Sequence, residues 1–340
     1  MNVHEVVDDV EGWLRSRKEQ APVESDPADL ERFTGADPRD VHPDVDAGDL
    51  SFGSTALETS VWRRLPPSHV PRVERPFEFA SPVESPYEAN DVVTGVRWHG
   101  QGGETASTAV VLLHGAFAPS FAAERLISVP LLRRNVHVFA MTAPYHMARA
   151  PPASEYSGQY LLSGDVPRFV DGMVQAVADV RRLVATLQEE GYDEVYLSGI
   201  SLGGNAAAQA LTMADVDGGV LTVPAVDFAE TLQRAPIAAG MRRAANRAGF
   251  SDPDVRRAMA PITPARLGSP VPDESDVHVV YGRWDRQVPA ETVESLLGEW
   301  PGASSVEYPT GHRTTALRIL AHRHQLAGWL DGQMASRTAE

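Results

Sequence analysis

The sequence predicts an α/β protein: a mostly parallel sheet with helices on both faces. Three observations carry that prediction. Short apolar runs alternate with helical stripes from Ala109 onward. The run Ala109–Leu113 contains no polar residue, as a strand buried on both faces should. The alternation breaks once, over Phe228–Leu267, where helical stripes (Leu232, Ile237, Met241; then Val255, Met259) follow one another without a strand. An insertion there would sit as a helical cap over one edge of the sheet.

The elements follow in order. Val6, Val7, Val10, Trp13 and Leu14 fall at helical spacing and predict a short amphipathic helix. Glu24–Asp49 is dominated by Asp, Glu and Pro and reads as a loop or covering arm. Residues 1–72 are therefore taken as an acidic N-terminal extension. Phe77–Val83 and Asp91–His99 alternate like antiparallel strands, and a polar turn at Gln101–Thr108 leads into the apolar run Ala109–Leu113. A helix over Phe121–Arg134 and a strand over Val136–Met141 come next. Pro167 opens a long helix striped by Val170, Met173, Val177, Val180, Val184 and Leu187. Glu194–Leu197 (strand), Leu202–Met213 (helix) and Gly219–Val223 (strand) precede the cap. Beyond it come strands at Val277–Tyr281 and Ser304–Tyr308, a helix at Ala290–Trp300 between them, and a closing helix at Thr314–Leu330. The core is thus expected over 73–227 and 268–334, with the cap at 228–267.

Composition narrows the function classes. The chain has 340 residues, 43% of them hydrophobic and 22% charged, enough to bury a large core. A net charge of −16 argues against a nucleic-acid partner, because phosphates repel such a surface. With no cysteine, disulfides and thiolate chemistry are excluded. Lys18, the only lysine, is a poor Schiff-base candidate in an acidic helix. No run approaches the roughly 18–20 apolar residues of a membrane span, and Asp8, Asp9 and Glu11 interrupt the N-terminal apolar positions. No transmembrane segment and no signal peptide are expected, and a cytoplasmic location follows as the expectation. No metal pattern or phosphate cradle occurs, so neither metal nor cofactor is expected; the acidic Asp37–Asp49 reads as a solvated face, and His322 and His324, two apart on a helix, cannot chelate together.

The strongest local signal is Gly199-Ile200-Ser201-Leu202-Gly203-Gly204, between a predicted strand and a predicted helix. A serine nucleophile must be lifted out of the sheet on a tight turn, and glycine two residues before and after removes the side chains that would collide. The Leu202 backbone N–H would lie at a helix N-terminus, where it can stabilise negative charge. Serine needs a base, and the base an orienting acid. His312, after the last predicted strand, and Asp285, after the one before it, both fall at strand carboxyl ends, where open α/β sheets gather reacting groups. Asp227, after Gly219–Val223, is the second candidate for the acid. His114-Gly115-Ala116-Phe117 closes the first parallel strand; Ala116 can give the second oxyanion donor and Phe117 a wall of the acyl pocket, while His114 itself reads as a structural, buried histidine. Tyr145, His146 and Arg149 follow another strand end and are candidates for the substrate cleft, Arg149 as a carboxylate or phosphate holder, though ordinary loop packing explains them equally.

These motifs, in the order His114-Gly115-Ala116-Phe117, Ser201 on its glycine turn, Gly282–Pro289 with Asp285, and Gly311-His312, resemble the serine-hydrolase branch of the α/β-hydrolase superfamily over about residues 75–332. The resemblance implies the α/β-hydrolase fold and a Ser201–His312–Asp285 triad. It also implies cleavage of a small-molecule carboxylic ester or related acyl compound through an acyl-enzyme, more firmly for the triad than for the substrate. Peptidase or C–C bond hydrolysis on the same triad is the second reading, and a non-catalytic binding module the third. The extension over 1–72 and the absence of a His-Gly-Gly-Gly loop are departures from minimal members and from the hormone-sensitive-lipase type. The cap residues Leu232, Ile237, Met241 and Phe250 are expected to supply the apolar walls.

Overall fold

The computed structural model describes residues 2–35, 37–54, 74–100, 106–321 and 324–337. Among them nine strands share one sheet: β1 Ser51–Phe52, β2 Glu74–Ala80, β3 Val92–Trp98, β4 Thr108–Leu113, β5 His137–Met141, β6 Glu194–Ile200, β7 Gly218–Thr222, β8 Val277–Gly282 and β9 Ser304–Tyr308. Their spatial order is β1-β2-β3-β5-β4-β6-β7-β8-β9. The first three pairs in that order, β1–β2, β2–β3 and β3–β5, are antiparallel; from β5 to β9 every pair is parallel.

The apolar run in β4 explains the layers. Ala109, Val111 and Leu113 point into one core cluster, and Val110 and Leu112 into the other. Successive side chains alternate across a strand, so a strand with no polar position demands cover on both faces. Helices supply it: α1 Val3–Ser16, α2 Ala122–Leu132, α3 Val166–Glu189, α4 Leu202–Leu211, α5 Phe228–Arg234, α6 Ala239–Arg247, α7 Asp252–Ala258, α8 Ala290–Glu299, α9 His312–Ala321 and α10 His324–Arg337. In α3 the Asp165 side chain accepts the Arg168 N–H at the N-terminus, and the whole predicted stripe from Val170 to Leu187 is buried. The other face is closed by α2 and α10, through Leu131, Leu132, Ala327 and Leu330.

Four local differences from the sequence reading have physical causes. First, β6 runs on to Ile200, because Ser198 and Gly199 still pair with Leu112 and Leu113 of β4. Second, the closing helix, described as the stretches α9 and α10, starts at His312 rather than Thr314, where the Asp8 carboxylate accepts its first N–H groups. Residues 322–323 between them, and with them the expectation for His322, lie outside the described residues. So do 101–105 of the predicted turn and 55–72 of the extension.

The third and fourth differences, an edge strand at 51–52 and the docking face of α1, concern that extension, which otherwise lies as a covering arm. Its described part is laid on the core: Arg39 Nε donates to Leu267 O (2.8 Å), His42 Nε2 bonds Pro261 O (2.9 Å), and Gly48 N–H donates to Thr186 Oγ1 (2.9 Å). Residues 51–52 then add a strand to the sheet edge. In α1 the helical spacing is present but the orientation is reversed. Val6, Val7, Val10, Trp13 and Leu14 face solvent, while Asp8 and Gly12 are buried. Close approach decides this: a Cβ on Gly12 would stand 2.4 Å from Pro236 Cβ, so the helix docks on its glycine side.

Candidate active site

Ser201 stands between β6 and α4 with φ 55° and ψ −109°, a backbone state that costs a non-glycine residue of order 1–3 kcal/mol. The surrounding glycines make the turn possible. A Cβ on Gly199 would fall 2.2 Å from Gly203 O, and one on Gly203 would fall 2.5 Å from Leu113 O. The turn is held by Ser201 N–H donating to Thr222 O (2.9 Å) and Asn205 N–H donating to Ser201 O (3.0 Å). The hydroxyl is thereby lifted above the carboxyl ends of β4, β6 and β7.

Asp285 follows β8 and is fixed by its own loop: Oδ1 accepts the N–H groups of Gln287 (2.8 Å) and Val288 (2.7 Å). Its Oδ2 accepts from His312 Nδ1 at 2.7 Å. With Nδ1 donating, Nε2 is left as the acceptor, and it lies 3.0 Å from Ser201 Oγ. Burial of the ring opposes its protonation, but the Asp285 carboxylate, with Asp8 and Glu11 behind it, holds the His312 pKa above the ordinary histidine value. Asp227, the second candidate acid, accepts the Glu230 N–H (2.9 Å) and caps α5, and it is Asp285 that His312 meets.

Leu202 begins α4, and Ala116 borders the same cavity as Ser201, Leu202 and His312. Neither the Ala116 nor the Leu202 N–H has an acceptor among the described residues. Gly115 brings the Ala116 loop against the turn: its Cβ position is 3.6 Å from Ile200 O and 3.8 Å from Ser201 Cβ. The cavity measures ≈ 70 Å³. Its walls are apolar, from Phe117, Phe169, Phe228, Leu232, Ile237 and Met241. Phe250 is buried in the core and contributes nothing to this lining, a correction to its expected place in the wall.

Tyr145, His146 and Arg149 also lie outside the cavity lining, contrary to their expected place in the cleft. Arg149 is fully buried, donating to Asn90 O (2.6 Å), Thr142 O (2.9 Å) and the Asp179 carboxylate (2.8 Å). Its charge is spent on a protein partner, and removing one member of such a buried pair costs about 3–5 kcal/mol. Tyr145 packs edge-on against Tyr87. His146 Nδ1 donates to Pro144 O (2.8 Å), and its Nε2 accepts the Phe117 N–H (3.3 Å). This bond holds Phe117 at φ 61°, so His146 shapes the pocket wall from behind. His114 is likewise saturated, between Gly115 O (2.8 Å) and Ala143 N–H (3.0 Å). Burial drives both rings to the neutral form, His114 down to about 4 and His146 to about 3.

Two residues escaped the sequence reading. Gln287 borders the cavity and ties the Asp285 loop to the segment between α5 and α6 through Ile237 N–H (3.0 Å) and to α1 through Asp8 O (2.7 Å). Asp8 accepts the His312 backbone N–H at 2.7 Å from 304 residues away. The only hint in the sequence is that Asp8 and Gly12 are four apart and so share a helix face.

A family model described as the alpha/beta hydrolase family matches residues 110–329. The chain belongs to that family. No curated protein matches it. Among solved structures, the α/β-hydrolase chain is similar to the esterase Pf2001 of Pyrococcus furiosus at 17% identity and a TM-score of 0.51, covering 81% of this chain and 97% of that one. An acetyl xylan esterase from Paenibacillus sp. R4 gives 13% identity and a TM-score of 0.56, with 91% and 98% covered. The acylaminoacyl peptidase of Pyrococcus horikoshii gives 13% and 0.51, with 80% of this chain and 42% of that one covered. At these identities the likeness is one of fold. Among the described residues no helix is long and apolar enough to cross a membrane, and no group of three metal-ligating side chains occurs.

Proposed function

We propose that this α/β hydrolase is a serine hydrolase that cleaves a small carboxylic ester or related acyl compound. The observation that carries the reading is the relay Asp285 Oδ2, His312 Nδ1, His312 Nε2, Ser201 Oγ, with separations of 2.7 and 3.0 Å. His312 Nε2 takes the hydroxyl proton as Ser201 Oγ attacks the acyl carbonyl, and Asp285 stabilises the imidazolium that forms. The N–H groups of Ala116 and Leu202 hold the oxyanion; one such donor typically contributes ~2.7–4 kcal/mol. The proton passes from Nε2 to the departing alkoxide as the C–O bond breaks. Water, deprotonated by the same nitrogen, then releases the acid from Ser201.

Two of the structural neighbours are esterases, against one acylaminoacyl peptidase, which supports an ester as the substrate, and the small apolar cavity suits a short acyl group. Core boundaries at 73–227 and 268–334, with a cap over 228–267, fit this reading, the cap supplying walls rather than reacting groups. A fluorophosphonate probe should label the wild type and leave Ser201→Ala unlabelled; equal labelling would refute the assignment. Turnover of a short p-nitrophenyl ester should need neutral His312. Because its pKa lies above 6.5, activity should rise with pH through an ionisation above that value. A rate unchanged between pH 5 and 8 would contradict the relay.

A further inference from the structure

We propose that Asp8, carried by the N-terminal helix α1, is a positioning residue for His312. This inference rests on the triad reading above and extends the active site to a segment that the fold's core does not contain.

The geometry begins at the first turn of α9, whose N–H groups have no partner within their own helix. Asp8 reaches into that turn from another part of the chain. Its Oδ2 accepts the His312 N–H (2.7 Å) and the Arg286 N–H (3.3 Å), and its Oδ1 accepts the Arg313 N–H (3.2 Å). One carboxylate therefore fixes the backbone of the base and the backbone directly after the acid. Gly311 records how close the approach is, since a Cβ there would lie 2.5 Å from Asp8 Oδ2. Gly12 records it a second time, one helical turn further along, where Pro236 of the cap occupies the space.

The rest of α1 braces the same two loops. His4 stacks on Trp284 with centroids 5.6 Å apart, and its Nδ1 bonds Thr314 Oγ1 (3.0 Å). Asp9 pairs with Arg286 (2.7 Å) and Glu11 with Arg313 (2.9 Å). Asp8 itself is fully buried. A buried carboxylate is costly unless paired: burial pushes the Asp8 pKa above the ordinary aspartate value, and the His312 and Arg313 N–H groups oppose that rise.

The charged groups facing His312 are thus Asp285 from its loop and Asp8 and Glu11 from α1, with Arg286 and Arg313 engaged by Asp9 and Glu11. Asp8 acts in two ways: it fixes where the ring starts, and its charge favours the imidazolium that forms during proton transfer.

The test uses the full chain as wild type, Asp8→Asn, Asp8→Ala and Val10→Ser, the last on the exposed face of α1. Esterase kcat and KM are measured against pH, and the His312 imidazole is titrated by NMR, its signal assigned by loss in His312→Gln. Asp8→Asn keeps the shape but removes the charge. It should lower the His312 pKa and move the acid limb of kcat down by about half a pH unit or more. Asp8→Ala should also reduce kcat by at least about tenfold with KM nearly unchanged. Val10→Ser should match wild type. Unchanged His312 titration and unchanged kcat in both Asp8 variants would overturn the proposal. Equal losses in kcat and in thermal stability, with no shift of the titration, would reduce Asp8 to a structural prop and overturn it too. Because the titration does not depend on turnover, an inactive wild type would refute the triad reading while Asp8 is still judged.

Discussion

Three histidines near Ser201 show how surroundings decide chemistry at the scale of one residue. The neighbours of His114 and His146 are a backbone carbonyl on Nδ1 and a backbone N–H on Nε2. Each ring is locked neutral, with its pKa pushed to about 4 and about 3. His312 has a carboxylate on Nδ1 and is biased toward the charged form. The pH dependence of stability follows from these opposite signs. Below pH 6.5 the unfolded chain binds protons on all three rings, but the folded chain binds one only at His312. The contribution of His114 and His146 should therefore fall as pH drops from 6.5 to 5, by about 1.6 kcal/mol each, while His312 and Glu124, whose pKa values are raised, act in the opposite sense. Thermal unfolding over that range measures it. His146→Gln should have a shallower slope, and an identical slope would show that His146 titrates in the folded state.

At the scale of elements, the parts governed by local rules were legible in the sequence and the parts governed by docking were not. Alternation, the polar-free run of β4 and the glycine turn at Ser201 identify strands, layers and the strained turn that carries the proposed nucleophile, because each is set by neighbours in the chain. Arg149 could not be placed that way: its fate depends on Asp179, thirty residues along in α3. Helix α1 is the sharper case. Its apolar stripe predicts the helix, yet the face that docks is chosen by the room at Gly12 and by the donors at His312, which no local pattern reveals. The turn at Ser201 gives a test at this scale. In Gly199→Val the added side chain meets Gly203 O inside the elbow. The variant should lose activity by at least about a hundredfold even where it folds, because a displacement of about 1 Å at the nucleophile has that effect. Wild-type turnover would show that the elbow yields.

Taken as a whole, the molecule encloses the proposed triad between the sheet and the 228–267 segment, whose side of the cavity is hydrocarbon except for Thr231. A space of ≈ 70 Å³ beside Ser201 favours short acyl groups. Substituting Leu232 and Met241 together by Ala should shift preference toward longer p-nitrophenyl esters, read as the ratio of kcat/KM for octanoate to that for acetate. An unchanged ratio would place the acyl chain elsewhere. The contact between Asp8 and His312 has a further consequence, for biosynthesis. A chain grown only as far as β9 holds Ser201 and Asp285 but lacks the base of the proposed relay and two of the three N–H groups that the Asp8 carboxylate accepts. Joining positions 304 residues apart is the kind of long-range closure that comes late in folding. The proposed activity should therefore emerge only once helix α1 has docked on the start of α9.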